Sequence, residues 1–249
     1  MNNSKGILTA SILGLCAIIC TSILSFSFLT YTKTRNTSGV TATGSASCNF
    51  ESDLIVWRGS FSATGDTSAA AYDTIKMDSQ LIKEYLLNNN ITNEEIVFSS
   101  INICQNFSPI YNDNGDYVGD IADGYTLSQE VSITSNDVDK VEKISRDISA
   151  LIESGVEFTS NSPEYYYTKL DELKLELIQR ATDNAKQRVD IITENSGATK
   201  GELLSANLGV FQITAQNSDS EEYSYGGTFN TSSRLKTATI TVNLNYSLK

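Results

Sequence analysis

Histidine is absent from this chain of 249 residues, and its absence excludes several kinds of active site. Histidine is the usual base in serine and cysteine hydrolases, and it is the commonest protein ligand of zinc and copper. The paired carboxylates Glu94-Glu95 and Glu221-Glu222 are sequence neighbours, whose side chains diverge on a strand or a helix. They do not form the acid and base couple of a hydrolase. We therefore predict that the protein is not an enzyme and uses no cofactor.

Cysteine is scarce, with four residues in the whole chain. Cys16 and Cys20 lie in an apolar segment, and neither follows the small residue that a bacterial lipid-attachment site needs. Cys48 and Cys104 could form a disulfide in an oxidising compartment, or they could be two separate half-buried thiols. Both alternatives stay open from the sequence.

Basic residues are also few, since 18 Lys and Arg face 30 Asp and Glu and give a formal net charge of -12. All the acidic residues lie after residue 36. Such a surface repels both nucleic acid and anionic lipid headgroups. We expect no nucleic-acid partner.

One long apolar run, residues 7–29 (ILTASILGLCAIICTSILSFSFL), carries no charge and is long enough to cross a bilayer as a helix. A cleavable signal has a shorter apolar region, so we favour an uncleaved anchor and keep a cleaved signal as the alternative. The predicted organisation is a short tail (1–6), the transmembrane anchor or signal (7–29), a linker (30–37) and an extracytoplasmic domain (38–249). We expect a single-pass protein at the cell membrane, or a secreted one if the signal is cleaved.

Two strand and helix units follow in the chain. Alternation in DLIVWRGSFSATG predicts a half-buried strand, and Asp66 or Thr67 can cap the helix after it. Asn136 or Asp137 can cap a second helix, which Gly155 ends. The apolar stripes predicted for these two helices are Ala71, Ile75, Ile82, Tyr85 and Leu86, and Val141, Ile144, Ile148, Leu151 and Ile152.

A third helix is predicted to begin at Ser162-Pro163-Glu164, where a capping hydroxyl precedes a proline and an acid. Its apolar side runs from Leu170 to a stop at Asn195 to Gly197, which allows a helix of more than 30 residues. Tyr165, Tyr166 and Tyr167 lie at its start, where at least one ring must be exposed. These three tyrosines are the preferred interaction patch.

The segment YNDNGDYVGDIADGY lies between two predicted strands and contains Asp113, Asp116, Asp120 and Asp123. Carboxylates spaced in this way suggest a calcium loop. However, the glycine and the closing glutamate of an EF-hand are out of place, and strands replace the flanking helices. Asn114-Gly115 is a strong turn signal, so a solvated hairpin tip is the default interpretation.

Two more strands are predicted, GVFQITA at 209–215 and TATITVNLNYSL at 237–248, separated by a segment (217–236) without periodicity. The predicted fold is therefore α+β. Two strand-helix units and a long third helix pack on a mixed, mainly antiparallel sheet, and one N-terminal transmembrane helix precedes them.

Several motifs carry a resemblance to a known family: GDTSAAAYDTIKMDSQLIKEYL after a β-ribbon, Pro109 and Tyr111 before the hairpin loop, Gly124-Tyr125 opening the return strand, and SGVEF after the second helix. Over residues 38–249 the chain resembles the SIMPL-domain family of bacterial envelope proteins. The resemblance implies an exported, often anchored α+β domain with no established catalytic residues. It also implies an association with envelope stress and an expectation of oligomerisation.

Two functions stay open. The first is a membrane-anchored, extracytoplasmic, non-catalytic interaction or oligomerising module of the cell envelope, linked to envelope or oxidative stress. Its partners would be the membrane, other copies of the chain and an unknown envelope protein. The second is an extracytoplasmic domain that binds a ligand or a divalent metal through the acidic loop at 112–123.

Overall fold

Alternating residues along Leu54–Gly65 produce a strand with one buried and one open face. In the computed structural model, Ile55, Trp57 and Phe61 are buried, as the sequence predicts. The structure describes residues 14–16, 18–29, 31, 39–218 and 225–248. The predicted tail, nearly all of the linker, and part of the apolar run and of the 217–236 segment lie outside these residues.

Eleven strands and three helices follow the N-terminal helical residues within the described part of the chain. The strands are β1 (Gly39–Glu51), β2 (Leu54–Gly65), β3 (Ile96–Phe98), β4 (Asn102–Tyr111), β5 (Tyr117–Ser135), β6 (Glu157–Ser160), β7 (Glu164–Tyr166), β8 (Lys200–Leu208), β9 (Gln212–Ala215), β10 (Thr228–Phe229) and β11 (Leu235–Leu248). The helices are α1 (Ser68–Asn88), α2 (Val138–Asp147), which continues as a 3-10 helix over Ile148–Ser154, and α3 (Leu170–Ser196).

The strands form two sheets rather than the single sheet that the sequence predicts. One sheet has the order β3-β5-β2-β6, with β4 also paired to β5 and β7 also paired to β2, and all these pairs are antiparallel. The other has the order β1-β11-β9-β10, with β8 also paired to β11, and it is mixed because β9 and β10 are parallel. The α+β class with mixed and antiparallel sheets is therefore confirmed.

The chain divides into two compact units. One contains Met1–Ala46, Ile178–Gly209 and Ile240–Lys249, and the other contains Ser47–Leu177 and Val210–Thr239. We call these the terminal unit and the central unit. In the terminal unit, Val40 and Ala42 of β1 pack with Val189 of α3.

The core of the central unit lies between its antiparallel sheet and helices α1 and α2. Thr67 caps α1 by accepting the Ala70 amide at 3.2 Å, and Asp137 caps α2 by accepting the Lys140 amide at 3.1 Å. Both predicted caps are confirmed. Most predicted stripe residues are buried, but Ile152 is exposed because the chain has become a 3-10 helix there.

Helix α3 begins at Leu170, eight residues after the predicted start at Ser162. Glu164–Tyr166 forms strand β7 instead, and it pairs antiparallel with Leu54 to Val56 of β2. A second difference is β8, a strand that the alternation did not reveal because nearly all its side chains are exposed. The missing burial removes the signal on which strand prediction depends.

The N-terminal region contains helical residues from Ile18 to Leu29, and their apolar side chains are exposed. Within the described residues, no helix combines the length and the apolar character needed to span a membrane.

Candidate functional site: an exposed β-hairpin

Strands β4 and β5 extend beyond the rest of their sheet. β2 pairs with β5 only from Tyr125 to Ser135, whereas β4 and β5 remain paired as far as Tyr111 opposite Tyr117. Residues 105–124, which we call the hairpin arm, therefore form a ribbon of two strands. The segment that the sequence suggested as a long loop is mostly strand.

A short turn, Asn112 to Asp116, closes the hairpin arm. The Asn112 amide donates to the Asp116 carbonyl at 2.9 Å, and the Asn112 side chain accepts the amides of Asn114 and Asp116. Gly115 has a φ of 85°, in the left-handed region that favours glycine. The predicted Asn-Gly turn is confirmed.

Large apolar side chains are exposed along both faces of the hairpin arm. Phe107 is 61% exposed and Tyr117 is 58% exposed. Cross-strand partners share a face, so the pairing places Phe107, Tyr111 and Tyr117 on one face and Ile110 and Ile121 on the other. The rings of Tyr111 and Tyr117 contact each other with centroids 6.2 Å apart. The arm therefore exposes apolar side chains on both of its faces, and on one face Tyr111 and Tyr117 are in direct contact.

The same arm carries four carboxylates and no basic residue, and the sequence contains no Lys or Arg from Ile96 to Ser135. Asp123 accepts a short hydrogen bond from the Ser108 hydroxyl. A hydrogen bond to Asp120 raises the pKa of Tyr117 above its ordinary value. Asp113 and Asp116 lie in the turn. The arm is thus both apolar and acidic.

The aspartates of the alternative metal-binding interpretation, Asp113, Asp116, Asp120 and Asp123, do not form a cluster that could hold an ion. Over the residues that the structure describes, no group of three or more acidic or cysteine side chains could hold an ion. The Asn112 side-chain oxygen is occupied by two backbone amides. The turn therefore satisfies its own polar groups, as a solvated hairpin turn does.

The predicted interaction patch at Tyr165 to Tyr167 is wrong for Tyr165, which is buried. Because this run lies on β7 and its flank rather than on a helix, its side chains alternate between faces. Tyr165 is buried, and its hydroxyl donates to Glu142 at 2.7 Å. Burial, with this hydrogen bond, raises the pKa of Tyr165 to about 12. Tyr166 and Tyr167 are half-buried and pack against Phe229 and Phe50.

Of the two alternatives left open for Cys48 and Cys104, the structure has two separate free thiols rather than a disulfide. Cys48 lies on β1, in one sheet, and Cys104 lies on β4, in the other. Cys104 is exposed, next to the hairpin arm, and Cys48 is half-buried.

A polar cluster around Arg234 was missed by the sequence analysis. Its guanidinium pairs with Glu51 at 2.6 Å, with Asp139, and with Glu142 at 3.4 Å. The hydrogen bond to Asp139 is the largest of the effects that raise the pKa of Arg234. The four side chains come from three distant parts of the sequence, so no local pattern could indicate the cluster. Within the central unit, the cluster connects α2 to the C-terminal end of β1 and to the residue that precedes β11.

Lys236 was also missed, although it is buried and charged. Its ammonium group donates to the Tyr165 carbonyl and lies 5.6 Å from the centre of the Phe229 ring. Desolvation lowers the pKa of Lys236 to about 8. A lysine in this state can serve as a nucleophile or base when substrate reaches it. Lys236 is only 1% exposed, so its contacts indicate a structural role.

Two sheets, three helices and a projecting acidic hairpin define an α+β domain whose most distinctive surface is a ribbon rather than a cleft. Comparison with known protein families matches residues 40–246 to SIMPL, described as a protein of unknown function (DUF541). The chain belongs to this family. Comparison with curated proteins gives no match.

Proposed function

We propose that this protein is a non-catalytic interaction and self-assembly module, held at a cell membrane, and that the hairpin arm is its contact surface. The observation that carries the proposal is the exposure of apolar side chains on both faces of a two-stranded ribbon. The other copies of the same chain are the partners that we propose.

An isolated two-stranded hairpin is marginally stable in water, because it has no layer to cover its apolar side chains. The arm nevertheless exposes Phe107, Ile110, Tyr111, Tyr117, Val118 and Ile121. Burial of such side chains in a contact would contribute about 1.5–3 kcal/mol for each one fully covered. Aromatic residues such as Phe107 and Tyr117 are favoured anchors of interfaces.

Charge restricts the way in which two copies can meet. Two arms in direct contact would bring together carboxylates such as Asp113 and Asp116 with no basic residue between them. Like charges facing each other are destabilising. The arm of one copy should therefore contact a different surface of the next copy. A contact between unlike surfaces produces rings when the rotation closes and open chains when it does not.

Membrane attachment is supported by the uncharged run at 7–29. The described helical residues Ile18 to Leu29 expose side chains such as Phe26 and Leu24, which suit contact with lipid. The lack of histidine, and the divergence expected for the neighbouring carboxylates Glu94-Glu95 and Glu221-Glu222, support a non-catalytic role. The link to envelope or oxidative stress stays a prediction from the family resemblance.

Replacement of Phe107 and Tyr117 by Ser tests the proposal. We expect the full chain, purified in a mild non-ionic detergent, to form oligomers by light scattering coupled to size exclusion. The variant Phe107→Ser/Tyr117→Ser should shift to the monomer, because it removes two anchors from one face of the arm. Its circular dichroism spectrum should be unchanged, since both side chains are exposed in the single chain and their replacement should leave the fold intact.

Met77→Ser is the matched control, because Met77 is equally exposed but lies on α1. It should leave the oligomer intact. The proposal fails if the parent chain is monomeric at high concentration, or if the arm variant and the Met77 variant have the same mass.

A further inference from the structure

An apolar groove of about 420 Å³ lies in the terminal unit, between helix α3 and strands β8 and β11. Val242 and Leu244 of β11 are buried beneath it, and Leu203 and Leu208 of β8 form an exposed wall. The volume is within the range of small-molecule sites, which are mainly apolar with a few polar groups.

Close packing of α3 on β1 fixes the position of the helix beside the groove. Gly44 of β1 touches the backbone of Ala181 and Ala185 on α3. Arg188 donates to the Thr43 carbonyl at 2.9 Å, which holds the helix in place. Strand β8 lies on the other edge of β11, so α3 does not cover its side chains.

Among the described residues that line this groove, one is a cation. Lys186 of α3 contributes to its wall, and its only ion pair described by the structure is with Asp183 at 3.8 Å. Both side chains are about half exposed. A pair of this kind contributes little free energy and can exchange partners. An anion bound at the groove could therefore replace Asp183 as the ion-pair partner of Lys186 with little loss of free energy.

We propose that this groove binds the acyl chain of an anionic single-chain amphiphile, such as a long-chain fatty acid, with the carboxylate at Lys186. The chain would lie on Val242, Leu244 and the wall formed by Leu203 and Leu208. The apolar lining explains affinity for a hydrocarbon tail, and the one lysine explains a preference for an acidic headgroup. The site is separate from the hairpin arm, so it can be tested independently of self-assembly.

A photoactivatable palmitate analogue carrying a diazirine on its tail is the probe. It is irradiated with the full chain held in nanodiscs of zwitterionic phospholipid, and the modified peptides are identified by mass spectrometry. We expect modification of peptides that contain residues 178–186 and 203–208. Unlabelled palmitate should compete more effectively than hexadecanol, by about threefold, which is the size of an exposed ion pair.

Leu203→Glu should abolish modification of these peptides, because it puts a charge on the apolar wall. Leu204→Glu is the matched control, since Leu204 is 45% exposed against 50% for Leu203 but does not line the groove. Lys186→Gln should remove the preference for palmitate over hexadecanol. The proposal is overturned if modification is confined to the apolar segment at 7–29, if Leu203→Glu has no effect, or if hexadecanol competes as well as palmitate with the parent chain.

Discussion

The burial of Lys236 was predictable from the alternation along β11, whereas the hydrogen bond that accommodates its ammonium group was not. Lys236 is in phase with Ala238 and Ile240 on the inward side of β11, so extending the alternation by one step would have predicted its burial. A charged residue before an alternating segment usually indicates that the buried strand has not yet begun. The predicted strand therefore starts at Thr237. The position of the Tyr165 carbonyl, which accepts a hydrogen bond from Lys236, could not be predicted.

Burial of Lys236 makes stability depend on pH in a defined direction. Its pKa is about 8 in the folded protein and 10.5 as the ordinary value. Between these values the unfolded chain binds more protons, so the free energy of unfolding rises with pH. From pH 8 to pH 10 the rise due to this residue is about 2 kcal/mol. Above pH 10 the tyrosines oppose it, because the raised pKa of Tyr165 favours unfolding there.

Lys236→Met is expected to lose this dependence, and urea unfolding at pH 7, 8, 9 and 10 measures it. The variant should be at least as stable as the parent at pH 7, since an uncompensated charge is removed from the core. Its advantage should shrink toward pH 10. Lys83→Met, on the exposed side of α1, is the control and should follow the parent at every pH. Parallel curves for the parent and Lys236→Met would contradict the assignment.

At the scale of elements, the sequence predicted the helix ends, which are determined by hydrogen bonds within one turn. The caps Thr67 and Asp137 and the stop at Gly155 act within one turn, and the structure confirms all three. The helix start predicted at Ser162-Pro163 is not used. The segment pairs with β2 as strand β7 instead, and this pairing buries Tyr165. Three consecutive tyrosines favour a strand, and this preference was the signal available in the sequence.

In the terminal unit, β1 and α3 approach each other closely at Gly44. A Cβ atom added at Gly44 would collide with the Ala181 carbonyl oxygen and with the Ala185 nitrogen. Both obstacles are backbone atoms, so the helix as a whole would have to move. Gly44→Ala should lower the free energy of unfolding by about 1–3 kcal/mol, as overpacked cores do.

Ser45→Ala is the neighbouring control for Gly44→Ala, because Ser45 is exposed on the opposite face of the strand. Chemical denaturation of both variants measures the difference. Equal stability of Gly44→Ala and the parent would show that α3 can shift from β1 without cost. In that case close packing on β1 would not fix the position of α3 beside the groove.

At the scale of the whole molecule, the sequence predicted the α+β class and the SIMPL family, but not the most distinctive surface. The segment from Tyr111 to Tyr125 was interpreted as a solvated tip because its aspartates and glycines resemble a loop. Its apolar residues, such as Tyr117 and Ile121, alternate too briefly to indicate a strand. The ribbon exists because the tight turn from Asn112 to Asp116 pairs the two strands over their whole length.

The proposed placement of the domain outside the cytoplasm can be tested with a native thiol. Cys104 is exposed on β4, so a membrane-impermeant maleimide should modify it when the domain is exported. The full chain carrying Phe107→Ser/Tyr117→Ser is used, so that assembly through the arm does not hide the thiol. Cells with an intact cytoplasmic membrane should show as much modification as lysed cells.

Cys104→Ser in the same background should remove the signal, which separates modification of Cys104 from modification of Cys48, Cys16 or Cys20. Modification that appears only after lysis would place the domain on the cytoplasmic side, and the proposed role outside the membrane would be wrong.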